Sequence, residues 1–235
     1  MAEEPKQQGQ AGRIALVAGA NGLVGSQLVE LLLAAPDYTR VYALSRRPLP
    51  REHARLANRI VNFERLESEL KAFTCHDAFC CLGTTLKAAG SEAAFRKIDL
   101  DMVVAFARAA LAAQARRFIV VSAVGADLQH KNFYLRVKGE MERALETVRF
   151  SSLDIMQPAL LLGSRAELRP LEAFARLAMP VVNPLLLGPL ERYRGIPART
   201  VAQAMLSAAR FGRRGVHRYT YPALQALAKK SSLRR

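Results

Sequence analysis

Short apolar runs alternate along the chain with stretches in which apolar residues recur every three to four positions. The runs lie near 13–18, 41–45, 59–63, 77–82, 117–122 and 152–157, and Arg13-Ile-Ala-Leu-Val-Ala18 is representative. Their length and aliphatic content predict buried strands. Between them, the helical period predicts helices near 23–34, 65–73, 91–113 and 132–148. Strand and helix in strict alternation imply a parallel sheet covered on both faces, with right-handed crossovers. Ala35-Pro36-Asp37 ends the first long helix, because proline disfavours helical geometry in the residue before it. Beyond Pro158 the alternation fades. Residues 159–200 carry Pro170, Pro180, Pro184, Pro189 and Pro197 around apolar stretches such as Leu185-Leu186-Leu187. Pro180 and Pro184 argue against a simple buried helix over 177–190, which reads as a lid or a contact surface. A last helical pattern follows near 198–211, then a strand-like Arg218-Tyr-Thr-Tyr221.

The first strand leads into Gly19-Ala20-Asn21-Gly22-Leu23-Val24-Gly25, and a helical pattern leaves it. In a Gly-x-x-Gly-x-x-Gly turn between strand and helix, Gly19 permits the tight turn. Gly22 lets backbone approach a pyrophosphate, and Gly25 lets helix and strand pack closely. The helix N-terminus then meets the phosphates with free N–H groups and a positive dipole end. This predicts a dinucleotide-binding α/β domain, a Rossmann-type doubly wound parallel sheet. The 235 residues and 51% apolar content suit one such domain with a small appended lobe. We divide the chain into a disordered leader (1–12), a dinucleotide-binding core (13–158), a substrate or lid region of the same domain (159–228) and a basic tail (229–235).

The second strand ends at Leu44-Ser45-Arg46-Arg47. An acidic residue here would bind the adenosine ribose hydroxyl and repel a 2′-phosphate. Ser45 with Arg46 and Arg47 does the reverse, which favours NADP(H) over NAD(H). At the end of the fourth strand, Leu82-Gly83-Thr84 would let backbone pass close to the cofactor.

Tyr134 and Lys138 are one helical turn apart and share a face. A phenol starts near ~10 and must drop by roughly three units, about 4 kcal/mol, to shuttle protons at neutral pH. A neighbouring ammonium supplies such a bias. Ser122, closing an apolar run, could donate a hydrogen bond to the same substrate oxygen. Beside a nicotinamide, this trio is suited to carbonyl reduction or alcohol oxidation.

The formal charge of +15 raises the question of nucleic acid or anionic lipid. The cations are scattered from Arg46 to Arg235 without interleaved aromatics, and this argues against a nucleic-acid face. No run approaches the roughly 18 apolar residues of a membrane span. Cys75, Cys80 and Cys81 have neither metal-ligand nor disulfide spacing, so a reducing cytoplasm is the default and no metal is expected. The histidines have no partner at metal or triad spacing. Glu140 and Glu142 read as a solvent-facing pair, and Arg165 as a surface arginine that could meet an acidic substrate group.

Gly19–Gly25, Cys80-Cys-Leu-Gly-Thr-Thr85, Ile98-Asp-Leu-Asp101, Val121-Ser-Ala-Val-Gly-Ala-Asp127 and Asn132–Glu140 together resemble the short-chain dehydrogenase/reductase superfamily, in its atypical Tat-interacting branch. The resemblance spans about 14–225. It implies NADP(H) binding and a Ser-Tyr-Lys centre on Ser122, Tyr134 and Lys138, with Lys138 also on the nicotinamide ribose. It further implies that Pro158 and Leu160 approach the nicotinamide. Where many members carry a helix Asn that supports the lysine through water, this chain has Asp99. A carboxylate cannot donate when ionised, so Asp99 interrupts the usual proton relay. Superfamily members often pair through helices, which leaves a homodimer open.

Three functions are open at this point. One is an NADP(H)-dependent reductase or dehydrogenase acting on a small carbonyl or alcohol. The second is an NADP(H)-binding redox sensor or regulatory protein with little turnover. The third, a nucleotide-sugar epimerase or dehydratase, suffers from a C-terminal region short for a sugar-nucleotide lobe.

Overall fold

Arg13–Ala18 forms β1, and Ala15 to Ala18 are buried completely. A strand covered on both faces has no polar side, which is why this run is continuous rather than alternating. The computed structural model describes residues 12–63, 65–70, 73–163 and 186–232. The expectations for the leader, for Arg165, for 177–185 and for the last residues of the tail lie outside these residues.

After β1 come α1 (Leu23–Ala34), β2 (Tyr38–Ser45), β3 (Leu56–Ile60), α2 (Leu66–Glu69), β4 (Asp77–Cys80), α3 (Leu86–Ala89) and α4 (Glu92–Arg96). A π-helical turn (Lys97–Asp101) joins α4 to α5 (Met102–Ala112). Then follow β5 (Arg117–Val121), α6 (Phe133–Val148), β6 (Ser152–Met156), β7 (Leu161–Leu162), a 3-10 segment (Gly188–Tyr193), β8 (Ile196–Pro197), α7 (Ala198–Phe211), β9 (Gly215–Tyr219) and α8 (Tyr221–Ser232).

Seven strands make one sheet in the order β3-β2-β1-β4-β5-β6-β9, every pair parallel. The chain therefore leaves β1 in one direction to build β2 and β3, then returns to build the other half from β4. At such a reversal the loops after β1 and β4 part company, and their strand ends leave a crevice. Helices close both faces. Phe95, Phe106, Phe118 and Val137 fill one side, while Leu28, Leu32, Val201 and Met205 fill the other. Cys80 belongs to the first layer and Cys81 to the second, as the two-residue alternation of a strand requires.

The fold differs from the sequence expectation in five places. β3 pairs with β2 from Val41↔Leu56 and ends at Ile60, so the apolar Val61 and Phe63 are buried just beyond it. The helix expected over 65–73 is a single turn. The long helix expected over 91–113 contains the π-helical turn, whose extra residue per turn brings Asp99 and Leu100 inward. Finally, the 159–228 region completes the main sheet as well as whatever it contributes to a lid. Its β9 pairs with β6 throughout, and α7 lies against α1 and carries core residues such as Ala202 and Met205. Lys229 and Lys230 stand in the last turn of α8 and are not part of a separate tail.

Candidate active site

The glycine turn is built by close backbone approach. Gly19 adopts φ +79, a left-handed conformation that only glycine takes without strain, and a Cβ there would lie 2.5 Å from the Cys81 carbonyl oxygen. A Cβ on Gly25 would lie 2.1 Å from the Gly19 carbonyl oxygen, so helix and strand can pack this closely only without one. Gly22 donates its N–H to the Gly19 carbonyl at 2.9 Å and stands as the N-cap of α1. No side chain caps α1 and no acidic residue occupies its first turn, so its leading N–H groups and positive end are available to an anion.

A cleft of about 1010 Å³ opens over this turn. Gly19, Asn21, Gly22 and Leu23 form one wall, Leu82, Gly83 and Thr84 the floor, and Ser45, Arg46 and Arg47 the end beyond β2. Leu162, Gly163 and Arg199 also line the cleft. This is the crevice at the reversal of strand order. Its volume, its glycine-lined wall and its uncapped helix fit a dinucleotide. Ser45 lines the cleft with its hydroxyl already engaged, at 2.6 Å from the Arg47 carbonyl and 2.9 Å from Asn58 Oδ1. Arg46 and Arg47 have no acidic partner among the described residues.

Val24 and Gly25 lie behind the wall, buried in α1. Ser122, Tyr134, Lys138, Pro158 and Leu160 do not line the cleft; they lie on α6 and just beyond the ends of β5 and β6. Asn132 caps α6 by accepting the Leu135 N–H at 3.3 Å. Its first turn then presents Tyr134, half-exposed, with its ring 5.6 Å from that of Phe95. One turn on, Lys138 is buried and its Nζ meets Asp99 Oδ1 at 2.7 Å. The other Asp99 oxygen accepts the Thr84 N–H at 2.8 Å. A continuous path thus runs from the α6 lysine through Asp99 to the cleft floor. Burial works against the charge on Lys138, but Asp99, with Tyr134 and Cys80 beside it, raises its pKa.

Ser122 is also buried, and its hydroxyl donates to Glu142 Oε1 at 2.6 Å. The same oxygen accepts from Gln157 Nε2 at 2.8 Å, and Glu142 Oε2 accepts from Arg218 Nε at 2.8 Å. Glu142 is therefore not half of a solvent-facing pair. It is 3% exposed, at the turn of α6 after Lys138, while Glu140 does face outward and pairs with Arg96. Its spacing was the available signal: positions 134, 138 and 142 fall on one helix face. Gln157 and Arg218, its other partners, have no local signature. Cys75 and Cys80 are inert thiols, pushed up to about 12 by burial. No cluster of metal-binding side chains occurs among the described residues.

A family described as NAD(P)H-binding matches residues 19–164. The chain is 37% identical over 164 residues to Protein HTATIP2 of Rattus norvegicus, covering 68% of this chain and 67% of that protein. It is 34% identical over 189 residues to Protein FMP52-1, mitochondrial, of Scheffersomyces stipitis, covering 78% of each. Among solved structures, MoeE5 in complex with UDP-glucose and NAD superposes with a TM-score of 0.66 at 17% identity, covering 93% of this chain and 81% of that one. The UDP-glucose 4-epimerase of Thermotoga maritima does so with 0.67 at 14%, covering 94% and 84%. At such identities the likeness is one of fold. Several relatives carry mitochondrial names, which corrects the cytoplasmic expectation. Free thiols mark a reducing environment, and that property does not single out the cytoplasm. No helix among the described residues is long and apolar enough to cross a membrane.

Proposed function

The chain belongs to the NAD(P)H-binding family, and on that premise we propose that it is an NADP(H)-dependent oxidoreductase of the atypical short-chain dehydrogenase/reductase type, acting on a small carbonyl or alcohol. The observation that carries the proposal is the buried path from Lys138 through Asp99 to the Thr84 N–H in the cleft floor, one helical turn from Tyr134. It ties the proton-handling side chains to the place where the cofactor would lie.

The leading N–H groups of α1, at Leu23 and Val24, would hold the diphosphate, and Arg46 and Arg47 the 2′-phosphate. Gly83, Pro158 and Leu160 would meet the ribose and nicotinamide side. The cofactor supplies a hydride acceptor or donor when bound. Tyr134, the exposed member of the set, exchanges a proton with the substrate oxygen. Lys138 keeps its charge in a buried place because Asp99 is its counter-ion, and it holds the ribose side of the site in position. Ser122 orients the substrate oxygen. Its O–H points at Glu142, so it offers lone pairs in this arrangement and must turn to polarise a carbonyl.

One observation favours a second reading, a cofactor-responsive protein with little turnover. Asp99 neutralises Lys138 directly, which weakens the ammonium's pull on a nearby phenol. Two measurements decide. Purified protein should quench and blue-shift NADPH fluorescence at lower concentration than NADH; equal affinity would remove the role given to Arg46 and Arg47. A carbonyl panel should then show NADPH oxidation that Tyr134→Phe abolishes while cofactor binding survives. Binding without turnover anywhere in the panel would put the second reading ahead.

A further inference from the structure

The charged side chains among the described residues lining the cleft are Arg46, Arg47 and Arg199, and none is acidic. They stand in two groups on different elements. Arg46 and Arg47 follow β2, whereas Arg199 opens α7 and shares its stretch of wall with Ser26 and Gln27 of α1. Two separated cationic sites in one cleft match a ligand with two separated anionic groups. The β2 end is the place of the 2′-phosphate in the reading above, which leaves Arg199 to the other anion. We infer that Arg199 is a second ligand of the cofactor diphosphate, approaching it from α7 along the flank of α1. This rests on the proposed NADP(H) function and extends it to a residue outside the nucleotide-binding sequence motif.

Local contacts support that role. Arg199 uses one nitrogen, Nη1, to bond both Gln27 Oε1 and Glu30 Oε1 at 3.0 Å. Its Nε and Nη2 have no partner among the described residues, so a guanidinium built for paired contacts keeps donors in reserve. Gln27 and Glu30 sit three residues apart on α1, on the face that leads back to its N-terminus. The arginine is thereby held against the same helix whose leading N–H groups face an anion. Glu30 also lies 3.8 Å from Arg51, so its carboxylate is shared between two cations and grips neither strongly. Side-chain exposure of 44% for Arg199 and 43% for Glu30 keeps the pair weak enough for a diphosphate to compete.

Truncated nucleotides separate the two anion sites without needing a substrate. ADP-ribose carries the diphosphate without a 2′-phosphate, and adenosine 2′-monophosphate carries the reverse. By calorimetric titration, Arg199→Gln should weaken ADP-ribose and NADPH by roughly tenfold, the loss of one charged hydrogen-bond donor. The same variant should leave adenosine 2′-monophosphate unchanged, whereas Arg46→Gln should weaken adenosine 2′-monophosphate and NADPH and leave ADP-ribose unchanged. Glu30→Gln provides the control for a purely structural pair. It should bind ADP-ribose as tightly as the wild type or more tightly, because it releases Arg199 without removing it. Equal weakening by Glu30→Gln and Arg199→Gln would overturn the inference, as would an Arg199→Gln variant that binds ADP-ribose normally. Wild-type protein that binds neither NADPH nor ADP-ribose would instead overturn the parent reading, and this one with it.

Discussion

The glycine turn and the side chains around α6 are specified in different ways. The turn is made of backbone. Its parts follow one another over Gly19–Gly25, and the missing Cβ atoms define it. The centre is made of side chains that meet across the fold: Lys138 with Asp99, and Ser122 with Glu142. Backbone geometry tolerates no compromise, because a misplaced Cβ strikes a carbonyl that cannot move alone. Paired side chains can turn, so their chemistry depends on which partner holds them.

The sharpest test of this contrast lies within the glycine turn. Gly25→Ala places a Cβ 2.1 Å from the Gly19 carbonyl oxygen, and thermal unfolding should show a loss on the order of 3 kcal/mol or more, or no folded protein. Gly22→Ala meets the same oxygen at 3.1 Å and should cost less than about 1 kcal/mol, yet weaken NADPH binding by fluorescence titration. Equal destabilisation by the two would mean that the turn relaxes and that the cradle is not rigid.

A smaller effect is expected in the centre. Glu142→Ala leaves Ser122, Gln157 and Arg218 without their common acceptor and should cost about 2 kcal/mol in denaturant unfolding, discounted because Arg218 is partly exposed. Glu140→Ala, two residues earlier, removes only an outward pair with Arg96 and should cost about 0.5 kcal/mol at most. If the two variants match, Glu142 is not the organising carboxylate that its burial implies.

The smallest expected effect belongs to neither region. Burial opposes ionisation of Asp37, but the hydrogen bond and charge of Arg210 outweigh it and hold its pKa below the ordinary 3.8. A depressed carboxylate stabilises the fold above its ordinary pKa, and that contribution disappears as pH falls through the lowered value. Arg210→Gln should therefore lower the melting temperature modestly at pH 7, and the gap from wild type should close as pH falls through the lowered value. A gap that persists in acid would assign the loss to packing instead.

How far the sequence could be read follows the same division. The ends of α1 and α7 fall where periodicity put them, and Tyr134 and Lys138 share a face because i and i+4 always do. The Asp99 position was visible through resemblance, but its bond to Lys138 was not, since the π-helical turn alters which residues face inward. Glu142 looked like a neighbour of Glu140 because its partners are 15, 20 and 76 residues away in the chain. Likewise β9 was read as a short strand-like end, and only its pairing with β6 made it part of the sheet.

By itself, then, the sequence determined what local sterics and helical spacing determine: the alternating α/β order, the glycine turn and the Tyr-Lys face. Tertiary structure alone decided which charges are buried together, because a carboxylate's role depends on donors that folding brings from distant strands. That is why the glycine turn could be read from seven consecutive residues, while the hold on Ser122 and Lys138 could not.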